Sequence, residues 1–133
     1  MAPGDTAREF RGIPFVVRSA RRFSPAPGVR AVAAEIVRQV PVEATPRQER
    51  MFLIAERDSS VTARWELAYV ERVSGPEETL ESTDILAAVL LGQTQPTLVL
   101  GRDDGSATAY ALLERSGPKR WRLRWSSRWV GGC

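Results

Sequence analysis

The sequence predicts a single α+β domain, in which an antiparallel sheet of about five to six strands carries one or two helices on one face. Three observations favour this class. Several segments alternate apolar and polar residues with the period of two that a half-buried strand requires. The Asp-Gly pair at residues 104–105 is a strong hairpin signal between two of these segments. One further segment combines a helix-start signature with apolar residues at helical spacing.

The chain of 133 residues suffices for one domain. Residues 1–12 are rich in Gly, Pro and charge, so they are predicted to form a flexible arm, and residues 13–133 form the domain. The expected strands are alternating or short apolar runs bounded by turn residues, and they cover 13–23, 51–57, 64–73, 97–102, 107–115 and 119–130.

Two segments are predicted to be helices. In residues 29–42 the apolar side chains fit helical spacing, although the even positions almost fit a strand, and the helix is preferred. If this segment is a strand, the alternative fold is a barrel-like curled sheet with one helix. Residues 74–78 read Ser-Gly-Pro-Glu-Glu, which is typical of a helix start, so the second helix is expected over 77–91.

The composition disfavours most enzyme chemistry. The chain has no His and one Cys, which excludes His-based acid–base catalysis, Ser-His and Cys-His nucleophiles and most transition-metal sites. We therefore expect no catalytic residue, no metal site and no cofactor, and an enzyme that uses carboxylates alone ranks last.

The charge and cysteine content bear on partner and compartment. The formal net charge is +3, with basic ends and an acidic stretch over 76–105. No run is long and apolar enough for a membrane-spanning helix, and no signal peptide is visible. The single Cys favours the cytoplasm, while a periplasmic location stays open. The sequence does not indicate an oligomeric state.

The segment 119–130 alternates Trp or Leu with Arg almost without error. A regular strand would place the indole rings on one face and the guanidinium groups on the other. This separation disfavours nucleic-acid binding, which needs both on one accessible face. It favours either a core face or a protein-binding surface, because Trp and Arg are enriched at interface hot spots. The residues predicted to bind a partner are Arg120, Arg122, Arg124, Arg128, Trp129 and Val130, joined by Arg18, Arg21 and Arg22 from the first strand.

The preferred functional hypothesis is a non-enzymatic protein-interaction domain, such as a small accessory or extrinsic subunit of a larger assembly. Its partner would be a protein or a multi-subunit complex with an acidic surface, since Arg pairs well with carboxylates. The alternative is a domain that binds a small hydrophobic ligand in a cavity between sheet and helix. That cavity would be lined by Trp65, Tyr69, Tyr110 and Trp121.

Overall fold

The computed structural model describes residues 10–40, 46–60, 62–76, 80–91 and 95–131. Over these residues the chain is almost entirely β-strand, forms two antiparallel sheets that each contain four main strands, and contains no α-helix. The predicted α+β class is therefore wrong, and so is the alternative of a curled sheet with one helix. The six segments predicted to be strands are confirmed, because each of them overlaps an observed strand.

The first sheet is a meander in which each strand pairs with the next one along the chain. Its strands are β1 (Val16–Ala26), β2 (Val29–Val40), β3 (Arg47–Asp58) and β4 (Glu66–Pro76).

The second sheet repeats this arrangement with the next four strands, and a short ninth strand pairs with β7. Its strands are β5 (Ser82–Leu91), β6 (Gln95–Asp103), β7 (Ala107–Gly117), β8 (Arg120–Ser126) and β9 (Val130–Gly131).

The two sheets pack face to face, because residues from both of them form one buried cluster. That cluster consists of Ala33, Phe52, Ile54, Leu98, Leu100, Ala111, Leu113 and Trp121. At one side of the sandwich β4 lies beside β8, where Lys119 Nζ is 3.4 Å from a carboxylate oxygen of Glu66. At the other side Arg21 on β1 approaches Asp84 on β5 at 3.9 Å.

The first expected helix, over 29–42, is wrong because its residues form β2, which is apolar on both faces. Ala33 pairs with Ile54 and faces the core, while Ala34 pairs with Leu53 and faces outward. A strand with two apolar faces has no period of two, so its sequence cannot be told from that of a buried helix.

The second expected helix, over 77–91, is also wrong. Residues 82–91 form β5, and residues 77–79 lie outside the described part of the chain. Residues 85–91 are all apolar, so apolar residues three and four apart occur here although the segment is a strand. A β-bulge at Leu86 shifts the register between Ile85 and Ala87. The Ser74-Gly75-Pro76 signature belongs to the end of β4.

Glu56 on β3 is a carboxylate that joins the two sheets. It is almost fully buried and accepts hydrogen bonds from Arg115 Nε and Nη2 at 2.9 and 2.8 Å. Trp121 Nε1 and the backbone N–H of Lys119 donate to it as well, at 2.6 and 3.0 Å. Burial opposes its ionisation, but these hydrogen bonds and the charge of Arg115 outweigh burial and lower the pKa of Glu56.

The chain before β1 packs on the outer face of the first sheet. Residues 1–9 of the predicted arm lie outside the described residues, but Phe10 is fully buried. The guanidinium of Arg38 lies 4.4 Å from the ring centroid of Phe15 and 5.9 Å from that of Phe10. It also donates to Glu49 Oε1 and to the carbonyl of Ile13, at 2.9 and 3.1 Å. Arg38 therefore anchors residues 10–15 on this sheet.

Candidate functional site

Strand β8 carries the alternating Trp and Arg residues, and a β-bulge at Arg124 interrupts their alternation. Leu123 pairs with Leu113 and Trp125 pairs with Leu112, so Arg124 is the extra residue of the strand. Since Leu112 and Leu113 are consecutive on β7, they point to opposite faces, and so do their partners. The prediction that the odd positions of this strand all share one face is therefore wrong at Trp125.

The bulge separates the tryptophans of this strand. Trp121 faces the interior and is buried, with its ring edge-on to Phe23 at a centroid distance of 5.9 Å. Trp125 lies on the outer face of the second sheet, and 52% of it is exposed. Aromatic and cationic side chains of β8 thus meet on one accessible face, which the sequence pattern alone did not predict.

The outer face of the second sheet has an apolar row across its centre. Paired residues of antiparallel strands share a face, so the register identifies this row. Its members are Ala87, Val99, Leu112 and Trp125, one from each of the four strands.

Two further exposed apolar side chains extend this row on one side. Tyr110 pairs with Gly101, and 43% of Tyr110 is exposed. A Cβ atom added to Gly101 would lie 3.1 Å from Leu86 Cδ1, so the glycine leaves the space that the exposed Leu86 occupies. Leu86 and Tyr110 therefore flank Gly101 beside the apolar row.

A buried carboxylate holds two arginines on the other side of the row. Glu114 pairs with Arg122 across the strands and accepts a hydrogen bond from its Nη2 at 3.0 Å. Arg124 Nη1 donates to the second carboxylate oxygen. Burial opposes ionisation of Glu114, but these two hydrogen bonds prevail and lower its pKa. Both arginine side chains remain exposed, Arg122 at 65% and Arg124 at 49%.

These side chains make up one surface, which we call the Trp125 patch. It comprises Leu86, Tyr110, Leu112, Trp125, Arg122 and Arg124.

The other predicted partner-binding residues of this segment lie at the two ends of β8. Arg120 is exposed opposite Gly117, where β8 begins. Arg128 and Trp129 are exposed in the connection that follows β8. Val130 pairs with Thr108 through its backbone in β9, and its side chain lies outside the described part of the structure.

The predicted arginines of β1 are not brought next to those of β8. The two strands are edges of different sheets and are not paired with each other. Arg18 Nε is 3.7 Å from a carboxylate oxygen of Glu35, and Arg21 pairs with Asp84. Arg22 borders a separate recess beside Trp65. The structure therefore distributes the nine predicted residues over more than one surface.

The four residues predicted to line a ligand cavity are also dispersed, and the helix expected to cover them is strand β5. Trp121 and Tyr69 face the interior, whereas Tyr110 is on the outer face of the second sheet. Trp65 precedes β4, with the guanidinium of Arg57 5.0 Å from its ring centroid. Trp121 lines a recess between β1 and β5, whereas Trp65 lines a separate recess beside Arg22.

A charged cluster that the sequence did not reveal lies between the sheets. The Tyr69 hydroxyl donates to Glu71 at 2.7 Å, and Arg102 donates to the same carboxylate. Burial, together with the neighbouring carboxylate, raises the pKa of Tyr69. Glu35 accepts a hydrogen bond from the backbone N–H of Thr83. These carboxylates accept hydrogen bonds from other groups of the same chain, which is typical of a structural network.

An apolar recess of about 550 Å³ opens between β1 and β5, at the end of the sandwich opposite this charged cluster. Phe23, Leu98 and Trp121 contribute to its walls, and Pro25 and Ala88 lie on its two sides. Of these residues only Trp121 was predicted to line a cavity, because the others come from three different strands.

No group of three His, Cys, Asp or Glu residues in the described part of the chain could hold a metal ion. Within the same residues, no helix has both the length and the hydropathy needed to cross a bilayer. Comparisons with protein-family models, with curated proteins and with solved structures found no match. The Trp125 patch and the apolar recess are the two candidate binding sites of the described residues.

Proposed function

We propose that the chain is a non-enzymatic protein-interaction domain, acting as an accessory or extrinsic subunit of a larger assembly. It binds a partner with an acidic surface through the Trp125 patch. The observation that carries this proposal is the bulge at Arg124, which places Trp125 on the same exposed face as Arg122 and Arg124.

The apolar character of the outer face supports a protein partner. An antiparallel sheet with one face on a core usually presents polar residues on the other face. Here Leu86, Tyr110 and Trp125 are exposed together around the apolar row. A contiguous exposed apolar surface with polar residues at its rim is typical of an interaction site. Trp, Tyr and Arg are also the residues most enriched at binding hot spots.

The rim arginines favour an acidic partner. Glu114 fixes the position of both guanidinium groups, so less side-chain freedom is lost when a partner binds. A guanidinium has five N–H donors, so each arginine can bind a partner carboxylate while it stays on Glu114. The pairing of Arg with acidic groups on the partner would set orientation and association rate more than total affinity.

The same patch brings aromatic and cationic groups together, which removes the sequence-based argument against nucleic acid. Two features still favour a protein. Glu114 compensates one of the two guanidinium charges, so the patch has little excess charge for a phosphate backbone. The centre of the face consists of aliphatic Val99 and Leu112 rather than of stacked rings, and aliphatic groups pack best against apolar protein side chains.

The test is co-purification of the native chain at low salt, followed by reconstitution with the purified partner. Trp125→Ala is expected to weaken partner binding by roughly thirtyfold, or about 2 kcal/mol, because a hot-spot ring is lost. The matched control is Trp65→Ala, since Trp65 is exposed to a similar extent, 44%, but lies away from the patch.

The proposal predicts that Trp65→Ala binds like the wild type and that both variants keep the thermal stability of the fold. Equal binding by Trp125→Ala and the wild type would refute the assignment of the patch. Release of the partner by nuclease treatment would show instead that the ligand is nucleic acid.

A further inference from the structure

We propose that the apolar recess between β1 and β5 is a binding site for a neutral, ring-bearing apolar small molecule. This site is separate from the Trp125 patch, because it opens between the sheets whereas the patch lies on an outer face. Its volume of about 550 Å³ is within the range of small-molecule sites.

The recess exists because small side chains leave the interior incompletely filled on this side. Ala88 faces inward opposite Leu98, and its methyl group occupies little of the space between the sheets. Across the opening, the end of β1 supplies Pro25 and the turn after it supplies Pro27, and both rings border the recess. Solvent therefore reaches a floor formed by Leu98 and Trp121, two side chains that are otherwise buried.

The polar groups of the walls are already paired, which favours a neutral ligand. Both Nε and Nη2 of Arg115 donate to the Glu56 carboxylate, so its charge is compensated. Trp121 Nε1 donates to the same carboxylate, and the Ser24 hydroxyl donates to the carbonyls of Ala26 and Val29. An ionic ligand would lose its hydration without gaining a charged partner from these groups.

The shape of the walls favours a ring. The rings of Phe23 and Trp121 stand at 79° to each other, so a flat ligand can face one ring while it meets the edge of the other. The prolines of the rim provide further flat apolar surface. Such offset and edge-to-face contacts add to the effect of removing apolar area from water.

The experiment titrates the protein with N-phenyl-1-naphthylamine, a neutral probe that fluoresces in apolar sites, and with the anionic 8-anilinonaphthalene-1-sulfonate. We expect saturable binding of one neutral probe per chain, with nuclear Overhauser contacts to Leu98 and Val89. The anionic probe should bind roughly tenfold more weakly, because its sulfonate has no partner in the walls.

Two substitutions on one strand locate the site. Ala88→Phe projects into the recess and is expected to weaken binding of the neutral probe by at least about tenfold. Its matched control is Ala87→Phe, which lies on the outer face and should change binding by less than about twofold. Trp125→Ala should also leave probe binding unchanged, so the result is independent of the interaction proposal.

Circular dichroism would confirm that each variant keeps the β-sheet spectrum. Absence of saturable binding by the wild type would overturn the proposal. Undiminished binding by a folded Ala88→Phe variant, or tighter binding of the anionic probe, would do so as well.

Discussion

At the scale of single residues, Glu56 is the clearest example of a buried charge that serves the fold. Its two oxygens accept four hydrogen bonds from three residues of the second sheet or its turn, although Glu56 belongs to the first sheet. A buried ion pair stabilises a fold only when its geometry and remaining hydrogen bonds are satisfied. Glu56 meets that condition, and this explains why its pKa is lowered despite burial.

We expect Glu56→Gln to reduce the free energy of unfolding at pH 7 by about 3 kcal/mol, because it leaves the buried Arg115 without a counter-charge. The matched control is Glu66→Gln, directly opposite Glu56 on β4. Glu66 is exposed and forms a surface pair with Lys119, so its loss should cost less than about 1 kcal/mol. Urea unfolding of both variants measures the difference, and equal losses would contradict a special role for Glu56.

The same residue predicts a pH dependence. The pKa of Glu56 in the folded state lies below the ordinary value of 4.5, so folding favours the ionised form. Its contribution to stability is complete above the unfolded pKa and is lost as the pH falls through the folded value. As the pH is lowered from 6, the free energy of unfolding of the wild type should therefore fall more steeply than that of Glu56→Gln. Parallel curves for the two proteins would contradict this linkage.

The sequence predicted the identity of the residues in the Trp125 patch better than their orientation. Alternation identified β8 as a strand and singled out Arg122 and Arg124 as binding residues. The bulge at Arg124 carries no signal such as a Gly or Pro, so the change of face at Trp125 could not be predicted. Register depends on how two strands pair, so it cannot be predicted from the sequence of one strand alone.

At the scale of elements, the hairpin between β6 and β7 shows a turn that local sequence does specify. Asp104 Oδ1 accepts hydrogen bonds from the backbone N–H groups of Ser106 and Ala107, both at 2.9 Å. Those bonds lower the pKa of Asp104, and the bond from Ser106 has the largest effect. Gly105 has a φ of +95°, which residues with a Cβ rarely adopt. The prediction of a hairpin at this position is confirmed.

Gly105→Ala should destabilise the fold by about 1–2 kcal/mol, because alanine is strained at this positive φ. Gly117→Ala is the control, since an added Cβ there meets nothing within 4 Å and its φ is not in the left-handed region. That change should be within about 0.5 kcal/mol of the wild type. Thermal melts would distinguish them, and a neutral Gly105→Ala would show that the turn relaxes without cost.

The two helices predicted at the positions of β2 and β5 show where hydrophobic periodicity does not identify the secondary structure. Both segments are apolar on two faces, one toward the core and one outward, so the period of two disappears. In β5 the uninterrupted apolar run over residues 85–91 contains spacings of three and four, which indicate a helix. On β5, the outward apolar residue Leu86 is part of the Trp125 patch and Ala87 borders it, so for this strand the wrong assignment and the exposed surface have one cause.

At the scale of the whole molecule, two successive meanders share a single core. Residues of both sheets contribute to the same buried cluster, and Glu56 links them. The sequence could predict most of the strands, but not their division into two sheets, because that depends on contacts between residues far apart in the chain.

We expect neither half of the chain to fold alone. A fragment of residues 1–79 or of residues 80–133 would expose one whole face of its sheet that the other half normally covers. Each fragment should lack a cooperative unfolding transition, whereas the intact chain should unfold in one transition. Circular dichroism melts of the three proteins provide the measurement, and a cooperative melt from either fragment would contradict a shared core.

The shared carboxylate of Glu56 also constrains how this sequence can diverge over evolution. Loss of Glu56 alone leaves Arg115 as a buried cation without its counter-charge, and loss of Arg115 alone leaves Glu56 as a buried anion without its counter-charge. Exchange of Trp121 removes both an indole donor and a wall of the recess. Substitutions at positions 56, 115 and 121 should therefore be tolerated as a set rather than one at a time, which makes this trio a signature for detecting distant relatives.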